Sequence, residues 1–551
     1  MALTFPDRST ALRALTGRTA VMLAALVLPL AAGHAQTSPI AITVDASANR
    51  HPISPLIYGL NFGTADALRD LRAPINRSGG NSASTYNWRL NARNAGKDWY
   101  FESLPCDPQS INDQFGSSFI TLTRAAGATP MITLSMLGWQ ARLGPDHGRL
   151  ASFAITKYGP QQDNDASGFY DAGNGIAANG TPITGNDPHD AQTPASLTDE
   201  QARLRDLVRQ FGAGGLPYII LDNEPSMWQV IHRDVRPTGA HADEIAKKII
   251  AYSRAVKAIA PTTKVVAPEE WGWLGYHYSG FDQQYGNTNG LDHTPDRTGI
   301  TQGMDYVPWL LTQWKAAGHP VDVFSLHFYP QDGVYSDSDT REVELARNRS
   351  TRDLWDPSYT DPSWIKSVVA LIPLMRKWVN QYYYPGTPIA ITEYNWGGEK
   401  LMNGATAQAD VLGIFGREGL DIATRWATPD ATTPVYKAMK LYRNYDGKGS
   451  AFGNTSIGAA VPDPDTVSAF AALRDTDGAA TVMVINKQLE ASAAVTITLA
   501  HLPDHGAVET WQLADNALTR LPDTHYANGA LGATLPRQSV TLFILHNAGH
   551  G

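Results

Sequence analysis

Between residues 55 and 448 the chain repeats one hydropathy pattern. A short apolar run ends abruptly in polar or aromatic residues, and a longer stretch with helical spacing follows. Apolar runs of this length, bounded by turn signals, read as strands buried on both faces. Eight are present: Leu56–Asn61, Pro74–Ser78, Met131–Ser135, Tyr218–Asp222, Lys264–Ala267, Val321–His327, Pro388–Glu393 and Asp421–Trp426. The spacing of Ile245, Ile249, Tyr252, Val256 and Ile259 predicts a helix over His241–Ala260, with Asp243 and Glu244 in the first turn, where the helix dipole favours acidic groups. Helices are also expected over Tyr306–Ala317, Trp364–Gln381 and Ala407–Phe415. Eight strand–helix alternations predict an α/β fold of the (β/α)₈ TIM-like barrel type.

The barrel segment, 55–448, is longer than the ~250 residues of a bare barrel. The excess falls in Gly/Pro/Asp/Asn-rich loops at 140–197, 275–303 and 330–362. From 449 to 551 the period shortens to two, as in Val467–Leu473, Thr481–Asn486 and Ser539–Leu545, which predicts a smaller all-β sandwich. Ile40–Val44, within 36–54, alternates in the same way and is expected to join that sandwich, making it discontinuous in sequence.

Residues 1–35 combine arginines, the apolar run Thr19–Ala32 and the small residues around Gly33 and Ala35, the pattern of a secretory signal peptide. The run is too short for a membrane span, so a secreted protein without a membrane anchor is expected. The single cysteine, Cys106, excludes an intramolecular disulfide. The chain carries a net charge of −9; its first 35 residues hold three arginines against one aspartate, leaving −11 for the remainder. That balance argues against nucleic acid or anionic lipid as partners and suits a neutral ligand. The 14 tryptophans and 22 tyrosines supply flat faces that can stack on sugar rings, although large enzymes also use aromatics in their cores.

Barrel chemistry is carried at the C-terminal ends of the strands. Asn61, Arg77, Ser135, Glu224, His327, Glu393 and Trp426 stand at or just past strand ends. Glu224 closes the fourth strand, in Leu221-Asp222-Asn223-Glu224-Pro225. Pro225 keeps it out of the right-handed helical region, so an extended conformation is expected. Glu393 closes the seventh. Two carboxylates facing one another across a barrel mouth are what glycoside hydrolysis needs: an acid for the leaving oxygen and a carboxylate for the developing cation. Two salt-bridged strand-end glutamates would give the same sequence. Asp222 points away from its neighbour along the strand and is read as structural.

Four stretches go further. Arg77-Ser78-Gly79-Gly80-Asn81 with Tyr86-Asn87-Trp88 and Asn94-Ala95-Gly96, Leu221–Pro225 with Trp228, Thr392-Glu393-Tyr394 with Gly397-Gly398-Glu399, and Lys440–Lys448 occur in this order, joined by Leu354–Pro357 and Ser363-Trp364-Ile365. In this the sequence resembles glycoside hydrolase family 44, secreted endo-β-1,4-glucanases and xyloglucanases, from about residue 40 onward. The resemblance implies a retaining mechanism with Glu224 as acid/base and Glu393 as nucleophile. It implies that Asn223 binds the sugar 2-hydroxyl and that Arg77, Asn81, Trp88, His327, Tyr329, Trp364, Tyr394 and Trp426 contact substrate or the carboxylates. Arg77 could equally be a structural salt bridge and His327 a core residue; Trp228 is expected in the core. One departure is Ile231, where the family pattern has threonine.

The chemistry requires no cofactor. Family members can carry a structural metal, and Asp163, Asp165, Asp187 and Asp190 form an acidic loop able to offer calcium its oxygen ligands, or simply to be solvated. A monomer acting on β-glucan polysaccharide is expected, with xylan or mannan as the other substrates of the same machinery and a non-catalytic glycan-binding protein as the reading from another class. Few aromatics beyond Trp511 and Tyr526 are available on the sandwich, which favours a bracing role for it.

Overall fold

A computed structural model describes residues 38–107, 110 and 115–547; the predicted signal segment lies outside them. Eight parallel strands close into a barrel: Gly59–Asn61, Ile75–Ser78, Thr129–Leu134, Tyr218–Leu221, Lys264–Glu270, Val323–Phe328, Ile389–Tyr394 and Ile422–Arg425. They are numbered here as barrel strands one to eight, and each overlaps one of the predicted runs. Ile75, Met131, Ile220, Val266, Val323, Ala390 and Ile422, one from each of strands two to eight, form one buried cluster separate from the main core. Their burial, and that of the alternate residues against the helices outside, explains why these strands are apolar without alternation.

The second body is a curved sheet that folds over on itself. Its strands run in the spatial order Ala517–Tyr526, Gly506–Ala514, Ser539–Asn547, Ala480–Asn486, Val467–Leu473, Thr455–Ala460, Ile40–Asp45, Ala493–Ala500 and Ala530–Leu535. Ile42, Val495 and Ile497 from one half share a core with Val482, Val484 and Phe543 from the other. The early strand Ile40–Asp45 pairs parallel with Val495–Ala500 and antiparallel with part of Thr455–Ala460. Tyr526 is buried and Trp511 packs on Tyr445 of the barrel segment, ring centroids 5.5 Å apart.

Barrel and sandwich meet across the helix Met402–Arg417, which follows the seventh barrel strand. Residues 403–416 are all buried. A Cβ on Gly413 would stand 2.2 Å from the Phe470 ring, so helix and sheet approach at glycine distance. A helix buried all round carries no amphipathic stripe, which is why the spacing predicted only its middle, Ala407–Phe415. Lys487 of the sandwich reaches Asp410 of this helix at 2.6 Å, both buried.

The helix expected over 364–381 begins at Leu371 instead. Pro373 can occupy only the first turn, where its missing N–H costs nothing, and Ala370 before it is left-handed at φ 39°. Residues 361–370 form a loop that leaves Trp364 exposed. Among the described residues no helix is long and apolar enough to cross a membrane.

Candidate active site

The C-terminal ends of the barrel strands converge on Glu224, His327 and Glu393. One side-chain ligand atom from each of these three lies within 4.8 Å of the others. Retaining enzymes hold their two carboxyls ~5–5.5 Å apart and inverting ones ~6.5–9.5 Å; an approach of carboxyl oxygens to within 4.8 Å favours the retaining arrangement.

Glu224 is not extended. It takes a left-handed conformation, φ 46° and ψ 57°. Pro225 bars only the right-handed basin, and the left-handed one lets the Glu224 N–H donate to the carbonyl of Glu269 at 3.1 Å. Beneath it Asp222 is buried and accepts from Ser84 Oγ and from the N–H groups of Met136 and Asn223, tying neighbouring loops together.

Arg77, fully buried, is the hub. Nη1 donates to Glu393 Oε1 at 2.7 Å and to Asn61 Oδ1 at 2.9 Å; Nη2 donates to Glu269 Oε2 at 2.8 Å and to Asn223 Oδ1 at 3.0 Å. The motif around it is explained by space. A Cβ on Gly79 would stand 2.3 Å from the guanidinium carbon, and one on Gly80 would stand 2.5 Å from the Trp426 ring. Gly80 is also left-handed at φ 73° and its N–H donates to Asn223 Oδ1 at 3.1 Å. Asn223 Nδ2 donates to Asn81 Oδ1 at 3.0 Å, and Asn81 Nδ2 to Asp98 at 2.9 Å.

His327 is buried among carboxylates. Nδ1 lies 2.8 Å from Glu224 Oε1 and 3.6 Å from Glu393 Oε2, and Nε2 lies 3.1 Å from Glu269 Oε2. Burial alone would lower its pKa, but Glu393, Glu224 and Glu269 outweigh it and hold the imidazole protonated up to about 10. Burial raises the Glu224 carboxyl above its ordinary value; the His327 hydrogen bond opposes that rise, and the charge on Glu393 adds to it. Tyr329 Oη donates to Glu393 Oε2 at 2.9 Å, and burial next to Glu393 keeps its phenol protonated well above the usual range.

Trp364 is exposed and its Nε1 donates to Gln331, which in turn donates to the carbonyl of Tyr329. Trp426, half-buried, stacks edge-on against Phe62. Trp88 is half-buried, with the Arg89 guanidinium 4.7 Å over its ring, so one face is already covered. Tyr394 corrects an expectation. It is fully buried, packs on Phe415, and its hydroxyl accepts from Gln408, so it is a core residue turned away from the cleft. Trp228 is buried, as expected of it.

Two parts of the site escape sequence reasoning. Glu269 sits one residue past cis-Pro268 in a bulge of the fifth strand, where Pro268 pairs with Ser325 and Glu270 with Leu326. Its signal was the same apolar-run-then-glutamate pattern as Glu224. Trp99, exposed beside Asp98, adds an aromatic at the Asn81 loop; the only hint was its nearness to the Asn94–Gly96 motif.

The four loop aspartates go to separate protein partners. Asp187 holds His189, Asp190 holds Lys157 and Tyr158, Asp163 accepts from Tyr100, and Asp165 Oδ1 accepts from Ser167 and Gly168. A different pair of carboxylates, Glu102 and Asp165, is buried side by side. Glu102 Oε1 and Asp165 Oδ2 are buried oxygens with no hydrogen-bond partner apart from each other's carboxyl. Burial and the neighbouring Asp165 push the Glu102 carboxyl up to about 7, and Arg149 approaches the pair only at 3.4 and 3.6 Å. Adjacent buried carboxylates need a shared proton or a cation between them.

A parallel barrel with two carboxylates at retaining distance, a buried arginine on one and an imidazolium on the other, defines a glycoside hydrolase. A model of glycoside hydrolase family 44 matches residues 92–332. Endoglucanase A of Paenibacillus lautus is 30% identical over 565 residues, covering 96% of this chain and 75% of that protein. Among solved structures, a bifunctional glucanase-xylanase from a metagenome library is 50% identical with a TM-score of 0.90, covering 93% of this chain and 100% of that one. A family 44 xyloglucanase from Paenibacillus polymyxa, solved with xyloglucan, is 26% identical with a TM-score of 0.75 over 92% of this chain and 100% of its own. The chain belongs to glycoside hydrolase family 44.

Proposed function

We propose that the chain hydrolyses internal β-1,4 bonds of soluble glucans, including carboxymethylcellulose-like and xyloglucan chains, with Glu393 as nucleophile and Glu224 as acid/base. The observation that carries this is the placement of the two carboxylates within 4.8 Å of one another. Arg77 and Tyr329 each donate to Glu393, so the nucleophile is aimed by two bonds. Burial raises the Glu224 carboxyl, which favours its role as the acid. Glu393 attacks the anomeric carbon as Glu224 protonates the departing sugar oxygen. The Glu393 charge is then consumed in the glycosyl ester, and Glu224 can ionise. It takes a proton from water, the resulting oxygen attacks the anomeric carbon, and the carboxylate of Glu393 is released.

The exposed faces of Trp364 and Trp99 give an extended chain places to stack on, which suits attack within a polymer. The similarity to a glucanase-xylanase supports xylan as a second substrate of the same site. The protein is proposed to be secreted and to work as a monomer, the sandwich bracing the barrel. Glu102 and Asp165 are proposed to hold a structural calcium, which would neutralise their buried charge and take no part in the chemistry. The test is hydrolysis of a panel of defined glucans, xylans and mannans, following the anomeric configuration of the first product by NMR. A β-configured first product from glucans supports the reading. An α-configured product, or a Glu393→Gln variant with most of its activity intact, overturns it.

A further inference from the structure

Three carboxylates meet two cations at the heart of the site, and the mechanism above employs only two of the three. The remaining one, Glu269, is fully buried at the bulge of the fifth barrel strand. A regular strand sends successive side chains to opposite faces; the bulge re-aims Glu269 to the barrel mouth, which lets two adjacent glutamates, Glu269 and Glu270, both be buried there. Glu269 Oε2 accepts from Arg77 at 2.8 Å and stands 3.1 Å from His327 Nε2, while Oε1 accepts from Thr392 at 2.9 Å. It therefore touches the two cations that themselves contact Glu393 and Glu224, and its backbone carbonyl accepts from the Glu224 N–H.

We propose that Glu269 is a positioning residue that sets the protonation of the Glu224–His327 pair, acting as the permanent counter-charge that lets Glu224 remain a neutral acid beside two cations. This rests on the catalytic roles proposed for Glu224 and Glu393. With Arg77 and His327 charged, the ionised Glu393 and Glu269 balance them, and a protonated Glu224 leaves the cluster neutral. Burial opposes ionisation of Glu269, but Arg77 and His327 overcome it and hold its carboxyl at about 2, so the counter-charge is present at any working pH. The other groups facing the pair are Tyr329, Tyr276, Glu270 and Asp98. Tyr329 and Tyr276 are phenols held protonated. Glu270 is raised to about 8 by burial and hydrogen-bonded by Ser226, and it touches neither cation. Asp98 is tied to Asn81 at the rim.

Removing the Glu269 charge leaves two cations against one carboxylate. The hydrogen-bonded Glu224–His327 pair then loses its first proton at lower pH, whichever partner releases it. The test is the pH profile of kcat/KM on carboxymethylcellulose for Glu269→Gln, Glu269→Asp and Glu270→Gln beside the parent. In Glu269→Gln the alkaline limb should move about one unit toward acid, with kcat down ~10- to 100-fold at the parent optimum. Glu269→Asp keeps the charge and should keep the limb in place despite a lower kcat; Glu270→Gln should leave the limb unmoved. A uniform loss in Glu269→Gln with no displacement of the limb overturns the proposal and makes Glu269 a brace. So does an equal displacement in Glu269→Asp, which also decides the matter if the glutamine variant fails to fold. The two readings fail separately. An inactive Glu393→Gln with an unmoved Glu269→Gln profile defeats only the present inference, whereas an active Glu393→Gln defeats the catalytic assignment beneath it.

Discussion

Arg77 binds Glu393 at 2.7 Å with one guanidinium nitrogen and Glu269 at 2.8 Å with the other, and none of its side chain reaches solvent. A buried planar fork held from two sides fixes the nucleophile in orientation as well as in charge. Lysine keeps the charge and loses the fork. Arg77→Lys should lower kcat by ~10²-fold with KM within a few-fold of the parent, because misaiming the nucleophile costs transition-state rather than ground-state binding. Steady-state kinetics on carboxymethylcellulose measure the split; a change confined to KM would contradict this role.

His327 supplies the second cation, and its loss has a definite sign. Burial raises the Glu224 carboxyl, and the imidazolium at 2.8 Å pulls it partway back. Glu224 is useful as an acid only while protonated, so the alkaline limb of activity follows its pKa. Deleting the imidazolium removes a charge that favours the ionised form, and the pKa climbs further. His327→Gln should therefore move the alkaline limb about one unit toward higher pH, the opposite direction from Glu269→Gln. A pH-rate profile between pH 4 and 9 reads it directly.

Trp364 stands in the open and is tied through Gln331 to the carbonyl of Tyr329, next to the nucleophile. A stacked ring grips substrate and transition state alike. Trp364→Ala should raise KM for a polymeric glucan about tenfold, ~1.4 kcal/mol, and leave kcat nearly untouched. A fall in kcat with constant KM would show that the ring acts on the reacting sugar instead.

Calcium at Glu102 and Asp165 would bind the folded chain alone and so stabilise it by mass action. Chelation should lower Tm by a few degrees, and added calcium should restore it. In Glu102→Gln the chelator should have no effect, because a neutral amide removes the charge that draws the ion. Differential scanning calorimetry, with metal content measured by elemental analysis, tests both arms.

The barrel was legible from sequence because parallel strands buried on both faces write themselves as apolar runs, and polar residues such as Asn61, Arg77, Glu224 and Glu393 end them. Glu224 and Glu393 were legible for the same reason. What escaped was set by breaks in that regularity, by alternation within a strand, or by contacts between distant segments. Glu269 reaches the site through a bulge, which period-two reasoning cannot place. The left-handed turn at Glu224 and the late start of the helix at Leu371 are both choices that a proline narrows without deciding. Tyr394 lay next to the nucleophile in sequence, but alternation along the strand turns it into the core. Glu102 pairs with Asp165 across some sixty residues, a contact no local spacing announces.

The helix Met402–Arg417 leaves the strand that carries Glu393 and is enclosed on every side, with Gly413 pressed to Phe470 and Asp410 bound to Lys487. The sandwich is thus the outer wall of the barrel rather than a module attached to it. Cutting the chain at residue 448 would bare the sandwich-facing flank of that helix to water and leave Asp410 without its cation, on the helix that follows the nucleophile's strand. A chain ended at 448 is therefore expected to lose stability and activity together.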